Sequence, residues 1–154
     1  FTGVERRFSL LDKINGISII DDYAHHPTEI ESILQAARSI CTGKIITIFQ
    51  PHRFSRVKTL FDKFVKSFSK ADTVFITDIY SAGEQAIRGV NKKKIISSMI
   101  KTGQKDARLL DDFDNLADEL SVLCKSGDFI IFLGAGSISR IAKKVAKQLK
   151  NKLN

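Results

Sequence analysis

Cysteine is scarce in this 154-residue chain: Cys41 and Cys124 are the only two, and no CxxC spacing joins them. That is too few for a disulfide-stapled secreted scaffold and fits a reducing compartment. No apolar run approaches the roughly 20 residues of a membrane span, and no charged–apolar–small signal pattern opens the chain. The expectation is a soluble, cytoplasmic domain with no membrane partner. An initiator methionine is missing, and Phe1 opens within what reads as structure, so a piece of a larger protein is expected. A GxxxxGK[ST] phosphate loop is also missing, which leaves the chain without the usual cradle for a nucleotide triphosphate.

What is present is ordinary globular material. Apolar residues make up 43% and charged ones 27%, close to the globular average and unlike disordered or collagen-like chains. The length suits one domain over 1–154. A chain of this size buries about 68–70% of its unfolded surface, enough to fold without disulfides or metal. The 25 basic and 17 acidic residues leave a net charge of +8. Much of the excess lies in Lys92-Lys93-Lys94 and in Lys143, Lys144, Lys147, Lys150 and Lys152. Neither run is interleaved with aromatics for base stacking, so solvated helix faces are expected and no nucleic acid.

Hydrophobic periodicity alternates short strands with amphipathic helices. Phe8–Ile14 and Ile17–Asp22 flank Asn15-Gly16, a pair suited to a tight hairpin turn. Pro27 fits a first helical turn, Ile30, Ile33, Leu34 and Ala37 follow at helical spacing, and Gly43 is the expected stop. Ile45–Phe49 reads as a strand, and Leu60, Phe61, Phe64, Val65 and Phe68 as one helix face. Thr73–Thr77 is a strand, a helix covers about 91–102, and a short strand follows at Arg108–Leu110. A helix near 114–125, a strand at Phe129–Leu133 and a helix from about Ser137 complete the pattern. Continuous apolar strands between helices predict an α/β, Rossmann-like, doubly wound and mostly parallel sheet. The N-terminal hairpin adds one antiparallel edge strand.

Ligands of such sheets bind beyond the carboxyl ends of the strands. The second strand ends in Asp21-Asp22-Tyr23-Ala24-His25-His26-Pro27-Thr28-Glu29, which holds two of the three histidines. Helix capping accounts for Glu29 and His26 but not for the whole cluster, and no further spaced ligand set supports a metal. The third strand ends in Gln50-Pro51-His52-Arg53-Phe54-Ser55-Arg56. Forked guanidinium donors there suit a carboxylate or phosphate. After the fourth strand, Asp78–Glu84 supplies small residues with Tyr80 and Glu84, and a plain loop fits this stretch equally well. Gly134-Ala135-Gly136-Ser137-Ile138-Ser139 lacks the third glycine of a dinucleotide fingerprint and reads as a tight turn into a helix. Both cysteines are expected to be buried or semi-buried thiols, since neither has a base beside it.

These strand-end motifs, with Gly3-Val4-Glu5-Arg6-Arg7-Phe8, resemble the C-terminal domain of Mur ligases across essentially the whole chain. The family's alanine-adding branch is the nearest in kind. The resemblance implies a ligase that joins L-alanine to UDP-N-acetylmuramic acid through an acyl phosphate made from ATP. It also implies partner domains: an N-terminal one for the UDP-sugar and a central one that holds most of the ATP and Mg2+. By resemblance, Arg7 would reach the ATP phosphates and Asp22 the ribose. Tyr23, His25, His52, Arg53 and Arg56 would line the amino-acid and acyl-phosphate region, and Ser137 the acceptor pocket. No catalytic side chain or metal ligand is assigned to this piece. Ala24 and Phe54 depart from the family's usual glycine and tyrosine without touching a charged group. The alternatives are a murein-tripeptide recycling ligase, against which the two arginines of His52–Arg56 argue, and a stand-alone nucleotide-binding module.

Overall fold

A computed structural model describes residues 7–154. The Gly3–Arg6 part of the opening motif lies outside the described residues. Among the described residues six strands form one sheet: β1 (Ser9–Ile14), β2 (Ile17–Asp22), β3 (Ile45–Phe49), β4 (Thr73–Ile76), β5 (Ala107–Leu109) and β6 (Phe129–Leu133). Their order is β1-β2-β6-β3-β4-β5. Only β1 with β2 is antiparallel; β2–β6, β6–β3, β3–β4 and β4–β5 are parallel. The hairpin turn is as the sequence implies, with Asn15 at φ 49° and Gly16 at φ 83°.

The α-helices among the described residues are α1 (Pro27–Ile40), α2 (Phe54–Thr59), α3 (Phe61–Lys66), α4 (Lys92–Lys101), α5 (Leu116–Leu123) and α6 (Ile138–Leu153). Side chains alternate between the two faces of a strand, so β3 and β6 feed two cores at once. Ile45, Phe49, Ile131 and Leu133 pack with Leu34 of α1, Val57 of α2, Phe64 of α3 and Met99 of α4. Ile46, Ile48, Ile130 and Phe132 pack with Leu120 of α5 and Ala142, Val145 and Leu149 of α6. Helices on both faces explain why these strands are apolar at every position but the buried Thr47.

Several boundaries differ from the sequence expectation. The single helix expected around Leu60–Phe68 is two short helices, because Leu60 leaves helical geometry at φ −111°, ψ 22°. Helix α1 stops at Ile40 with Cys41 as its cap, ahead of Gly43. The fifth strand is Ala107–Leu109, one residue earlier than expected. The helix expected near 114–125 begins as a single 3-10 turn at Phe113–Asn115 before α5. Lys92 is a larger correction. It is buried, not solvated, and its ammonium meets Asp78 at 3.0 Å, Asp111 at 2.5 Å and the Leu110 carbonyl at 3.2 Å. No helix among the described residues is long and apolar enough to cross a membrane.

Candidate functional site

Parallel register lines up the ends of the central strands. Asp22 of β2 and Phe49 of β3 both stand opposite Leu133 of β6, and Phe49 also stands opposite Ile76 of β4. Tyr23, Gly134, Gln50 and Thr77 therefore start along one edge. Strands β1 to β5 advance across the sheet in one direction and β6 returns to insert between β2 and β3, with α6 on the face opposite α1. Connections to opposite faces therefore diverge at this edge, where doubly wound sheets bind ligands.

Four rings run in a row along this edge. Tyr23 meets His25 at 5.1 Å and His25 meets His52 at 5.9 Å, both edge-on. His52 stacks on Tyr80 at 5.4 Å with the planes 11° apart. His52 and Tyr80 are also joined as an isolated β-bridge between two loops. Tyr80 thus belongs to the cluster, although its own segment was equally legible as a plain loop.

Hydrogen bonding fixes the imidazoles. Arg56 Nη1 lies 3.2 Å from His52 Nδ1 and donates to the His52 carbonyl at 3.3 Å. A guanidinium can only donate, so Nδ1 of His52 accepts and the ring carries its proton on Nε2. His25 Nδ1 lies 3.0 Å from the Tyr23 carbonyl, which can only accept, so that nitrogen holds the proton. Burial, then the Arg56 charge, then His25 and Arg53 push the His52 pKa below the usual histidine range. The sign follows from that depression: unfolded His52 binds protons more readily than folded His52. Its contribution to stability is present above the ordinary histidine pKa and is lost as pH falls through the folded value. We expect NMR titration to show His52 as a neutral Nε2–H tautomer at pH 7, titrating below a free histidine. Arg56→Ala should move that pKa upward, and an unmoved value would contradict the contact.

The other candidates are arranged around this row. Arg53 is exposed, with its guanidinium 4.0 Å from Glu84. Ser137 accepts from Gln50 Nε2 at 3.0 Å, and the same amide's Oε1 accepts from the Ile138 N–H at 3.1 Å. Buried Gln50 therefore ties β3 to the start of α6, a role its place in the motif did not reveal. Ser139 donates to the buried Asp21 at 2.6 Å. A Cβ on Gly136 would lie 2.7 Å from Tyr80 Cγ, so this turn packs directly on the Tyr80 ring. Asp22 is nearly buried, and its two oxygens accept from Phe8 N–H at 2.7 Å and Ala24 N–H at 2.8 Å. Burial raises its pKa against those two bonds, and the charge of exposed Arg7 acts to lower it. His26 and Glu29 form the capping box of α1, so they serve the helix start.

Both cysteines are buried free thiols, and burial pushes Cys124 up to about 12. A groove of about 570 Å³ lined by Lys66, Asp72, Gly103 and Lys105 opens at the opposite, amino-terminal edge of β4. It shares no residue with the ring row.

Residues 6–136 match the family described as Mur ligase, glutamate ligase domain. The UDP-N-acetylmuramate–L-alanine ligase of Agrobacterium fabrum is 42% identical over 151 residues, covering 98% of this chain and 32% of the relative. The ligase of the same name from Sinorhizobium fredii is 46% identical over 149 residues, covering 97% and 32%. The crystal structure of the UDP-N-acetylmuramate-alanine ligase of Thermotoga maritima matches with a TM-score of 0.75 at 31% identity, covering 96% of this chain and 30% of that one. The chain spans about a third of the length of the curated relatives it matches. A family match over most of its length, on a doubly wound sheet with the motifs in order along one edge, makes this chain a member of the Mur ligase family.

Proposed function

We propose that this chain, as one unit over 1–154, is the amino-acid-binding domain of a cytoplasmic ligase that joins L-alanine to UDP-N-acetylmuramic acid in peptidoglycan synthesis. The observation that carries this is the gathering of Tyr23, His25, His52, Arg53 and Arg56 along one strand edge. That the chain is 42% and 46% identical to two ligases of that name supports the choice of substrate. ATP, when bound, supplies the phosphoryl group that turns the sugar's lactyl carboxylate into an acyl phosphate.

The chain's own residues do the positioning. One forked guanidinium pairs with alanine's carboxylate and the other offsets charge on the phosphoryl oxygens. A neutral His52 adds no third cation against alanine's ammonium group. Holding amine and acyl phosphate together makes a bimolecular step effectively unimolecular. Asp22 keeps lone pairs beyond its two backbone bonds for the ribose, Arg7 stands exposed for the ATP phosphates, and Ser137 borders the acceptor pocket. Among the described residues no group of three or more His, Cys, Asp or Glu could hold a metal ion. On this proposal Mg2+ and most of the ATP belong to a central domain, and the UDP-sugar to an N-terminal one.

The test is complementation. A hybrid gene placing this chain on the first two-thirds of the Agrobacterium fabrum ligase should restore growth when the native ligase is depleted. Expression of a stable hybrid without rescue would contradict the assignment. The 154-residue chain alone should release no ADP and bind ATP only weakly, because it supplies only part of the proposed site. Micromolar ATP affinity by calorimetry would favour a stand-alone nucleotide-binding module.

A further inference from the structure

Arg53 has φ 73° and ψ 126°, a conformation that glycine adopts freely and a residue with a Cβ adopts only under constraint. The constraint comes from another loop. On one side, Arg53 N–H donates to the Tyr80 carbonyl and Tyr80 N–H to the Pro51 carbonyl, both at 2.8 Å. On the other side, both Glu84 oxygens engage Ser55, one accepting its N–H at 3.0 Å and the other its hydroxyl at 2.5 Å. The residues flanking Arg53 are thus fixed by one short segment. That segment is anchored in turn: Asp78 at its start meets the buried ammonium of Lys92. Near its end, Ala82 and Gly83 turn at φ 52° and 87°, and Glu84 N–H donates to the Ser81 carbonyl.

We infer that Asp78–Glu84 is a strap and that Glu84 is the positioning residue that holds Arg53 in its strained conformation and so aims the guanidinium. The inference rests on the proposed role of Arg53 as a ligand for substrate carboxylate or phosphate. Ser55's hydroxyl and N–H hold the Glu84 carboxyl below the usual range, so it is ionised at neutral pH and keeps both acceptors for Ser55. At 4.0 Å from Arg53, the same carboxylate steadies the guanidinium without occupying its fork.

A double-mutant cycle on the 154-residue chain tests the strap, and kinetics test its consequence. In the parent, Arg53→Gly relieves the strain and should raise Tm by about 2–4 °C, a shift typical of about 1 kcal/mol in a chain of this size. In a Glu84→Ala background, where Arg53 is free to relax, the gain should vanish. Glu84→Gln, which keeps an acceptor for the Ser55 N–H, should retain it. An equal gain in both backgrounds, or no gain in the parent, overturns the strap. In the hybrid ligase, Glu84→Ala should raise KM for L-alanine about tenfold with kcat within about twofold, and Glu84→Gln should restore most of it. If Arg53→Ala raises KM and Glu84→Ala does not, the positioning role is overturned. If Arg53→Ala leaves kinetics unchanged while the cycle holds, the ligand role of Arg53 fails and the strap stands.

Discussion

Arg56→Ala in the hybrid ligase is expected to lower kcat/KM for L-alanine by about 2–5 kcal/mol, the range for truncating one partner of a buried charge pair. Arg56 is the more demanding of the two arginines because it does two things at once. Its half-buried guanidinium holds His52 through the ring nitrogen and the carbonyl, and a guanidinium has five donors, which leaves others for the proposed substrate. Alanine removes both functions, whereas lysine keeps the charge and loses the fork, so Arg56→Lys should also be damaging. Arg53, exposed and bound only loosely to Glu84, should give a similar but smaller loss. The chain's Tm should change little in either case. A loss confined to KM marks a carboxylate clamp, and a loss in kcat marks a stabiliser of phosphoryl charge. Parent kinetics in both alanine variants, with folding intact, would contradict the site.

Gly134→Ala is expected to cost the fold about 2–4 kcal/mol, or roughly 5–15 °C in Tm, since backbone strain and overpacking act together. Gly134 has φ +150°, and a Cβ there would lie 2.9 Å from Ile138 Cγ2 and 3.0 Å from the Gln50 carbonyl. That carbonyl is backbone at the end of β3 and cannot step aside without moving the strand. Gly83→Ala is the control: its φ of +87° is also strained, but no atom lies within 4 Å of the new methyl. It should cost about 1 kcal/mol, within the range for strain alone. Equal losses by thermal denaturation would show that contact with Gln50 and Ile138 contributes nothing.

The fold was legible where local chemistry and tertiary packing agree. Asn15-Gly16 specified the hairpin, Pro27 the start of α1, and the apolar runs of β3 and β6 a sheet covered on both faces. Periodicity reports which face of a segment is buried, not its backbone angles, so Phe64 and Val65 were correctly placed in the core while the break at Leu60 went unseen. Lys92 failed for a different reason. A lysine triplet looks solvated in sequence, and only the fold brings Asp78 and Asp111 from separate strand ends to its ammonium.

The strand-end cluster was legible as composition, since two histidine-bearing motifs followed two successive strands of the pattern. Its organisation was not. The order of rings from Tyr23 to Tyr80 depends on β6 inserting between β2 and β3, a long-range pairing no local signal carries. The work of Gln50 and Glu84 was equally hidden, because both act through backbone groups of distant residues.

The most direct measurement is amino-acid-dependent phosphate release by the hybrid ligase with ATP and UDP-N-acetylmuramic acid, comparing L-alanine with the murein tripeptide as acceptor. Turnover with L-alanine, strongly reduced by Arg56→Ala and absent from the 154-residue chain alone, is the expected result. Preference for the tripeptide, or L-alanine turnover unaffected by Arg56→Ala, would contradict the assignment of this domain as the alanine-binding part of the enzyme.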